Sequence, residues 1–209
     1  MAYPTFPLTF PSTTGVTQSN FTLSRVIGMS ASPFTGQQQV YEHSYALWKA
    51  TISLPPMKRA SAAEYQTFFM ELHGQRGTFT MGDPDAKSVR GNATQSSLTI
   101  ASNTAVGAYD VPVTGLTASQ SLALIKGDYV QFGTGSAAKL HMITTNISAN
   151  GSGAATLTIE PALKVAITTT TACSIANTVG VFRLDTNDVG WDANSSSTYG
   201  FSFSCTEAI

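Results

Sequence analysis

Residues 48–84 read WKATISLPPMKRASAAEYQTFFMELHGQRGTFTMGDP. The first seven positions alternate as a strand does, placing Trp48, Ile52 and Leu54 on one face. Pro55 and Pro56 stop that strand, because neither can donate a ladder hydrogen bond. A helix is predicted next, over about 61–73. Ser61 is positioned as its N-cap, with Glu64 three residues on to complete a capping box. Tyr65, Phe68, Phe69 and Leu72 fall at i, i+3, i+4 and i+7, which is one apolar helical stripe and reads as core. Gly74 supplies a left-handed exit. Thr78–Met81 then forms a short strand, turned by Gly82-Asp83-Pro84.

Outward from this unit the signal is strand and turn. Residues 1–20 are rich in Pro, Thr and Ser and predict an extended arm or loop. FTLSRVIGMS (21–30) alternates as a strand, and 37–54 holds two strand-like pieces. Between 88 and 181 the composition shifts to Ser, Thr, Ala, Val and Gly, and the aromatic side chains are Tyr109, Tyr129 and Phe132 alone. Short runs at 97–101, 109–113, 129–132, 139–145 and 155–159, separated by glycine turns, predict a small β-barrel or sandwich. Aromatic strands return at 181–184 and 199–205, with Tyr199, Phe201 and Phe203 expected on one face. The fold expected is therefore mainly β. An outer, β-sandwich-like domain (1–87 plus 182–209) carries the single helix, and its first and last strands pair. A second β domain (88–181) is inserted into one of its loops.

Composition narrows the function classes. Of the 209 residues 42% are hydrophobic, enough for a core, and 11% are charged, against about 25% in ordinary soluble domains. The surface is then largely Ser, Thr, Asn, Gln and Gly. Such a surface is buried against other copies with few charges to desolvate. Formal net charge is −1 and the basic residues are scattered, so the phosphate-neutralising footprint of a specific nucleic-acid binder is missing. The N-terminus lacks the basic and continuous apolar regions of a secretion signal, and no stretch has the length of a membrane span.

No motif carries chemistry. His43, His73 and His141 lie on separate elements without metal-ligand spacing. Asp185, Asp188 and Asp192, with Asn187 and Asn194, form a loose acidic loop that lacks the density of a calcium site. Cys173 and Cys205 stand far apart and outside any CxxC pattern; small buried hydrophobes are the simpler reading, with a disulfide left open. No phosphate-binding glycine loop and no nucleophile elbow occur. No catalytic, metal or cofactor residues are assigned, and no enzymatic activity is expected.

Three ordered blocks resemble a family of phage minor tail proteins. The first is Trp48, Ala50, Leu54-Pro55-Pro56, Arg59, Glu64 to Phe69 and Gly74 to Pro84. The second is 126–133 (KGDYVQFG) with 151–157 and 159–163. The third is Phe182-Arg183-Leu184, Trp191 and the strand running into Glu207. Within that group the chain is most similar to a distal tail protein. The resemblance implies a β domain that forms a ring with copies of itself, usually six. It also implies a second β domain projecting outward, and partners in the tail tube, baseplate hub or fibres. The location implied is the virion tail, after assembly in the host cytoplasm, with DNA free to pass and no membrane contact. The family brings no catalytic residues. The alternative expectation is a binding module whose inserted domain docks host carbohydrate or another tail protein.

Overall fold

The computed structural model describes residues 4–12, 14–193 and 197–209, leaving aside the side chains of 44 and 45. Among the described residues, fifteen strands and one α-helix follow one another. The outer part contains β1 (Leu8–Thr9), β2 (Gln18–Ala31), β3 (Gln38–Ser53), β4 (Met57–Lys58), α1 (Arg59–Leu72) and β5 (Phe79–Met81). The middle part contains β6 (Ser97–Ile100), β7 (Asp110–Thr114), β8 (Tyr129–Phe132), β9 (Lys139–Ile143), β10 (Ala155–Glu160) and β11 (Ala172–Ser174). The chain then returns with β12 (Gly180–Leu184), β13 (Asp192–Ala193), β14 (Thr198–Gly200) and β15 (Ser202–Glu207).

The architecture is mainly β with a single helix. Six strands from both ends of the chain build one sheet in the order β1-β5-β12-β15-β3-β2, and β6 to β11 close into a barrel. A small third sheet has the order β13-β14-β4. The last strand, β15, pairs antiparallel with β3 on one side and β12 on the other. The first strand, β1, pairs parallel with β5, so first and last strands do not pair directly as the composition had suggested. Within the arm, Phe10 sits against the rings of Tyr65, Phe68, Phe79 and Phe203.

The helix buries Tyr65, Phe68, Phe69 and Leu72 as its periodicity requires, together with Ala62. Its start differs from the expectation. The helix begins at Arg59, Lys58 is the N-cap without a side-chain cap bond, and Ser61 lies inside the first turn. The cause is tertiary. Met57 and Lys58 are held in a ladder with Tyr199 and Thr198, so the chain passes straight from a paired strand into the helix. The exit is also one residue early, since His73 already takes the left-handed conformation (φ 52°) and Gly74 repeats it (φ 65°).

The core face of the large sheet is covered by two layers. Helix α1 and the N-terminal arm cover one part of it. Barrel residues Tyr129 and Leu140 join the same core cluster beside Trp48. The barrel has its own interior, with Ile100, Val111, Val113, Leu157, Ile159 and Ile143 all at most 1% exposed. The two chain crossings between sheet and barrel run in close contact: a Cβ on Gly82 would stand 1.9 Å from the Thr178 carbonyl oxygen.

Candidate assembly surface: the projecting ribbon and its footing

The 37–54 region is one continuous strand of 16 residues, and with β2 it makes a long antiparallel ribbon. The proximal half, Gln18–Arg25 against Ser53–Ala46, belongs to the large sheet. There Phe21 and Leu23 pack on the core cluster. The distal half, Ile27–Ala31 against Glu42–Gln38, leaves the body. Five rungs at the usual rise extend about 17 Å before the turn. The turn is closed by Ser32 N–H donating to the Gln37 carbonyl (2.9 Å) and Gly36 N–H to the Ser32 carbonyl (2.9 Å).

Register decides which distal side chains share a face. Directly opposed residues lie on the same side of an antiparallel pair. Ile27 faces Glu42, Met29 faces Val40 and Ala31 faces Gln38. One face therefore carries Ile27, Met29 and Val40, which are 53%, 65% and 60% exposed, with Glu42 at its inner end and Ala31 and Gln38 at its outer end. The other carries Gly28, Tyr41, Ser30 and Gln39. Phe34 at the tip is 95% exposed. From Val26 to Tyr41 there is no charged residue. β2 is a terminal strand of the sheet, and β15 pairs with β3 only between Lys49 and Ser53. Both outer edges of the distal ribbon are thus open along the described residues. A two-stranded ribbon is marginal in water by itself, and an open, uncharged edge is a template for another strand.

The footing of the ribbon is polar and largely buried. Trp48 donates its backbone N–H to Glu207 Oε2 (3.1 Å) and its indole N–H to the Leu140 carbonyl (2.9 Å). Lys164, from the loop after β10, forms an ion pair with the same carboxylate, and the Glu207 side chain is fully buried. Lys139 donates to the Ala208 carbonyl (2.7 Å). Burial holds the ammonium groups of Lys139 and Lys164 below the usual lysine range, opposed in both by the Glu207 charge. Tyr129 is pushed up to about 12 by burial, then by the Asp83 charge and its hydrogen bond to that carboxylate.

The three histidines are separated. His43 lies on the ribbon and His73 caps the helix. His141 is buried in β9, where its Nδ1 bonds the Pro161 carbonyl (2.7 Å) and burial lowers its pKa to about 4. Among the described residues no group of three or more His, Cys, Asp or Glu could hold a metal ion. In the acidic loop Asp185 accepts from the Thr206 hydroxyl (2.6 Å) and Asn187 from the Gln75 N–H (3.0 Å), which ties the loop to the sheet and to the turn after α1. Asn194 lies outside the described residues. Cys173 and Cys205 are free and buried in different cores, so they do not pair. Of the three barrel aromatics, Tyr129 and Phe132 are buried and Tyr109 is 44% exposed. Among the described residues no helix is long and apolar enough to cross a membrane.

The ribbon was read from sequence only as strands. Alternation of Ile27 and Met29 could mark an apolar face, but not that the face would lack a cover within the chain. No family model matches this chain, and no curated protein matches it.

Proposed function

We propose that this chain is a structural subunit without enzymatic activity, a distal tail protein of a tailed phage. It closes with further copies into a ring, six-fold by the resemblance, that joins the tail tube to the baseplate or fibres in the virion. The observation that carries this reading is the distal ribbon, with one apolar face uncovered, no charge from Val26 to Tyr41, and two open edges. The two edges face opposite ways. The β2 edge of one copy can therefore take the β3 edge of the next, a heterologous contact repeated by rotation until it closes. Low overall charge means that little desolvation opposes such contacts. A lumen without a basic stripe lets DNA through without holding its phosphates.

Native mass spectrometry and particle imaging of the purified chain test the reading. The expected species is a closed ring that persists at moderate salt, since edge pairing is not screened as ion pairs are. A chain that stays monomeric at high concentration, or one absent from the tails of purified virions, overturns it.

A further inference from the structure

The ladder of the ribbon is interrupted where it leaves the sheet. Arg25 pairs with Ala46 and the next paired residue, Ile27, faces Glu42, so Val26 alone stands opposite residues 43–45. Such an irregularity bends a ribbon and weakens the ladder at that point. One guanidinium sits at the break. Arg25 Nη2 bonds Glu160 Oε2 of the barrel at 2.7 Å, and Nη1 reaches Glu42 Oε1, the first paired residue beyond the break on β3, at 3.5 Å. Arg25 thus touches all three bodies that meet there: the sheet that carries it, the distal ribbon and the barrel. Beyond the break, among the described residues, the polar bonds of residues 27–41 stay within the ribbon.

We propose that Arg25 is a positioning residue that clamps the angle between the distal ribbon and the barrel. The planar fork of a guanidinium can hold two carboxylates in fixed directions at once, which an ammonium does not. Each ion pair is partly exposed and adds little to global stability. Its effect is local, because the interrupted ladder leaves the ribbon few other constraints on its direction. Tyr109 and Pro161 of the barrel and His43 of the ribbon line the small cleft around the clamp, about 200 Å³ in volume. This inference concerns the same ribbon as the function proposed above, but its test does not need a ring.

Spin labels on Phe34→Cys at the ribbon tip and Val106→Cys on the barrel report the angle as a distance distribution, measured by pulsed electron resonance. Labelled chain is diluted into unlabelled chain so that only distances within one copy count. The two native cysteines are buried and stay unlabelled in the folded protein. The native chain is expected to give one narrow distribution. R25Q and E160Q are expected to broaden it roughly twofold, as release of a local constraint does, and the swap R25E/E160R to narrow it again. R25K keeps the charge without the fork and is expected to broaden it too; it also serves if R25Q fails to fold. Unchanged widths in R25Q or R25K overturn the clamp, and so does a swap that stays broad. A monomeric chain with the expected widths keeps the clamp and sinks the ring, whereas a ring with unchanged widths does the reverse.

Discussion

The indole N–H of Trp48 donates to the carbonyl of Leu140 at 2.9 Å, joining the central part of the long strand β3 to barrel strand β9. Both residues are at most 5% exposed, and the Tyr129 ring lies 5.9 Å from the Trp48 ring. Barrel strands β8 and β9 therefore pack side chains into the sheet's core.

Removing residues 88–181 and joining 87 to 182 is expected to fail. Loop closure itself is mild, but the excision strips Leu140 and Tyr129 from Trp48 and leaves the buried Glu207 carboxylate without Lys164. Circular dichroism and hydrogen exchange check this. A shortened chain that folds cooperatively, with native-like protection of β3 and β15, would falsify it.

The Lys164–Glu207 pair gives a sharper version. Lys164→Met leaves a fully buried carboxylate unpaired and is expected to cost about 3–5 kcal/mol. The double variant Lys164→Met/Glu207→Gln is expected to recover part of that loss. Denaturant titration of both variants measures it. A single variant within about 0.5 kcal/mol of the parent would show the pair to be solvated.

Phe68 packs edge-on against Phe10, Phe69 and Phe79 and is 5% exposed. Phe68→Ala is expected to destabilise the fold by about 3–5 kcal/mol, as loss of a buried aromatic does. Ser61→Ala is expected to change little, because Ser61 is an interior helical residue and caps nothing. Equilibrium unfolding of the two variants separates the stripe from the cap.

The ribbon face should matter to assembly and not to folding. Ile27→Ser/Met29→Ser/Val40→Ser replaces side chains that touch no core cluster. Its unfolding free energy is expected to stay within about 1.5 kcal/mol of the parent, at about 0.5 kcal/mol for each surface change. Its ring population by native mass spectrometry is expected to fall to background. Intact rings in the triple variant count against the ribbon as the joint.

His141 predicts a pH dependence. Its folded pKa, about 4, lies below the ordinary 6.5 because burial disfavours the charged ring. Between those values the unfolded chain binds the proton and the folded chain does not. The contribution is therefore fully present above 6.5 and is lost as pH falls toward 4, by about 3 kcal/mol in all. Carboxylates add their own slopes at the acid end, so the informative window is pH 5.5–6.5. A stability profile for His141→Phe should be flatter there than the parent's.

Much of the fold was legible. The i, i+3, i+4, i+7 stripe fixed the buried face of α1 because helical period survives any tertiary context. The glycine-separated runs at 97–159 located five of the six barrel strands. The sixth, Ala172–Ser174, was missed because three residues directly after the run Thr168–Thr171 carry no alternation to read. Ser61 looked like a cap because capping boxes are local, whereas the true start is set by pairing of Met57 and Lys58 with residues 198–199. The footing of the ribbon was not legible at all. Lys164, on a barrel loop, and Glu207, on β15, are 43 positions apart, and nothing local marks them as partners. Alternation over 21–30 marked a strand, but which side chains share a face across the ribbon depends on register, and whether that face meets a neighbour depends on how far the ribbon outruns the body.

Strand order also sets a schedule. The barrel strands occupy a continuous run of chain, 97–174, and can close as soon as that run has left the ribosome. The large sheet cannot. Its strand β15 lies between β12 and β3 yet comes last in the chain. Until residues 202–207 are made, β3 has no inner neighbour, Trp48 has no Glu207, and the ribbon has no fixed base. Domains formed early in synthesis fold as units before later segments arrive. The ribbon thus gains its fixed base only once translation has reached the closing strand.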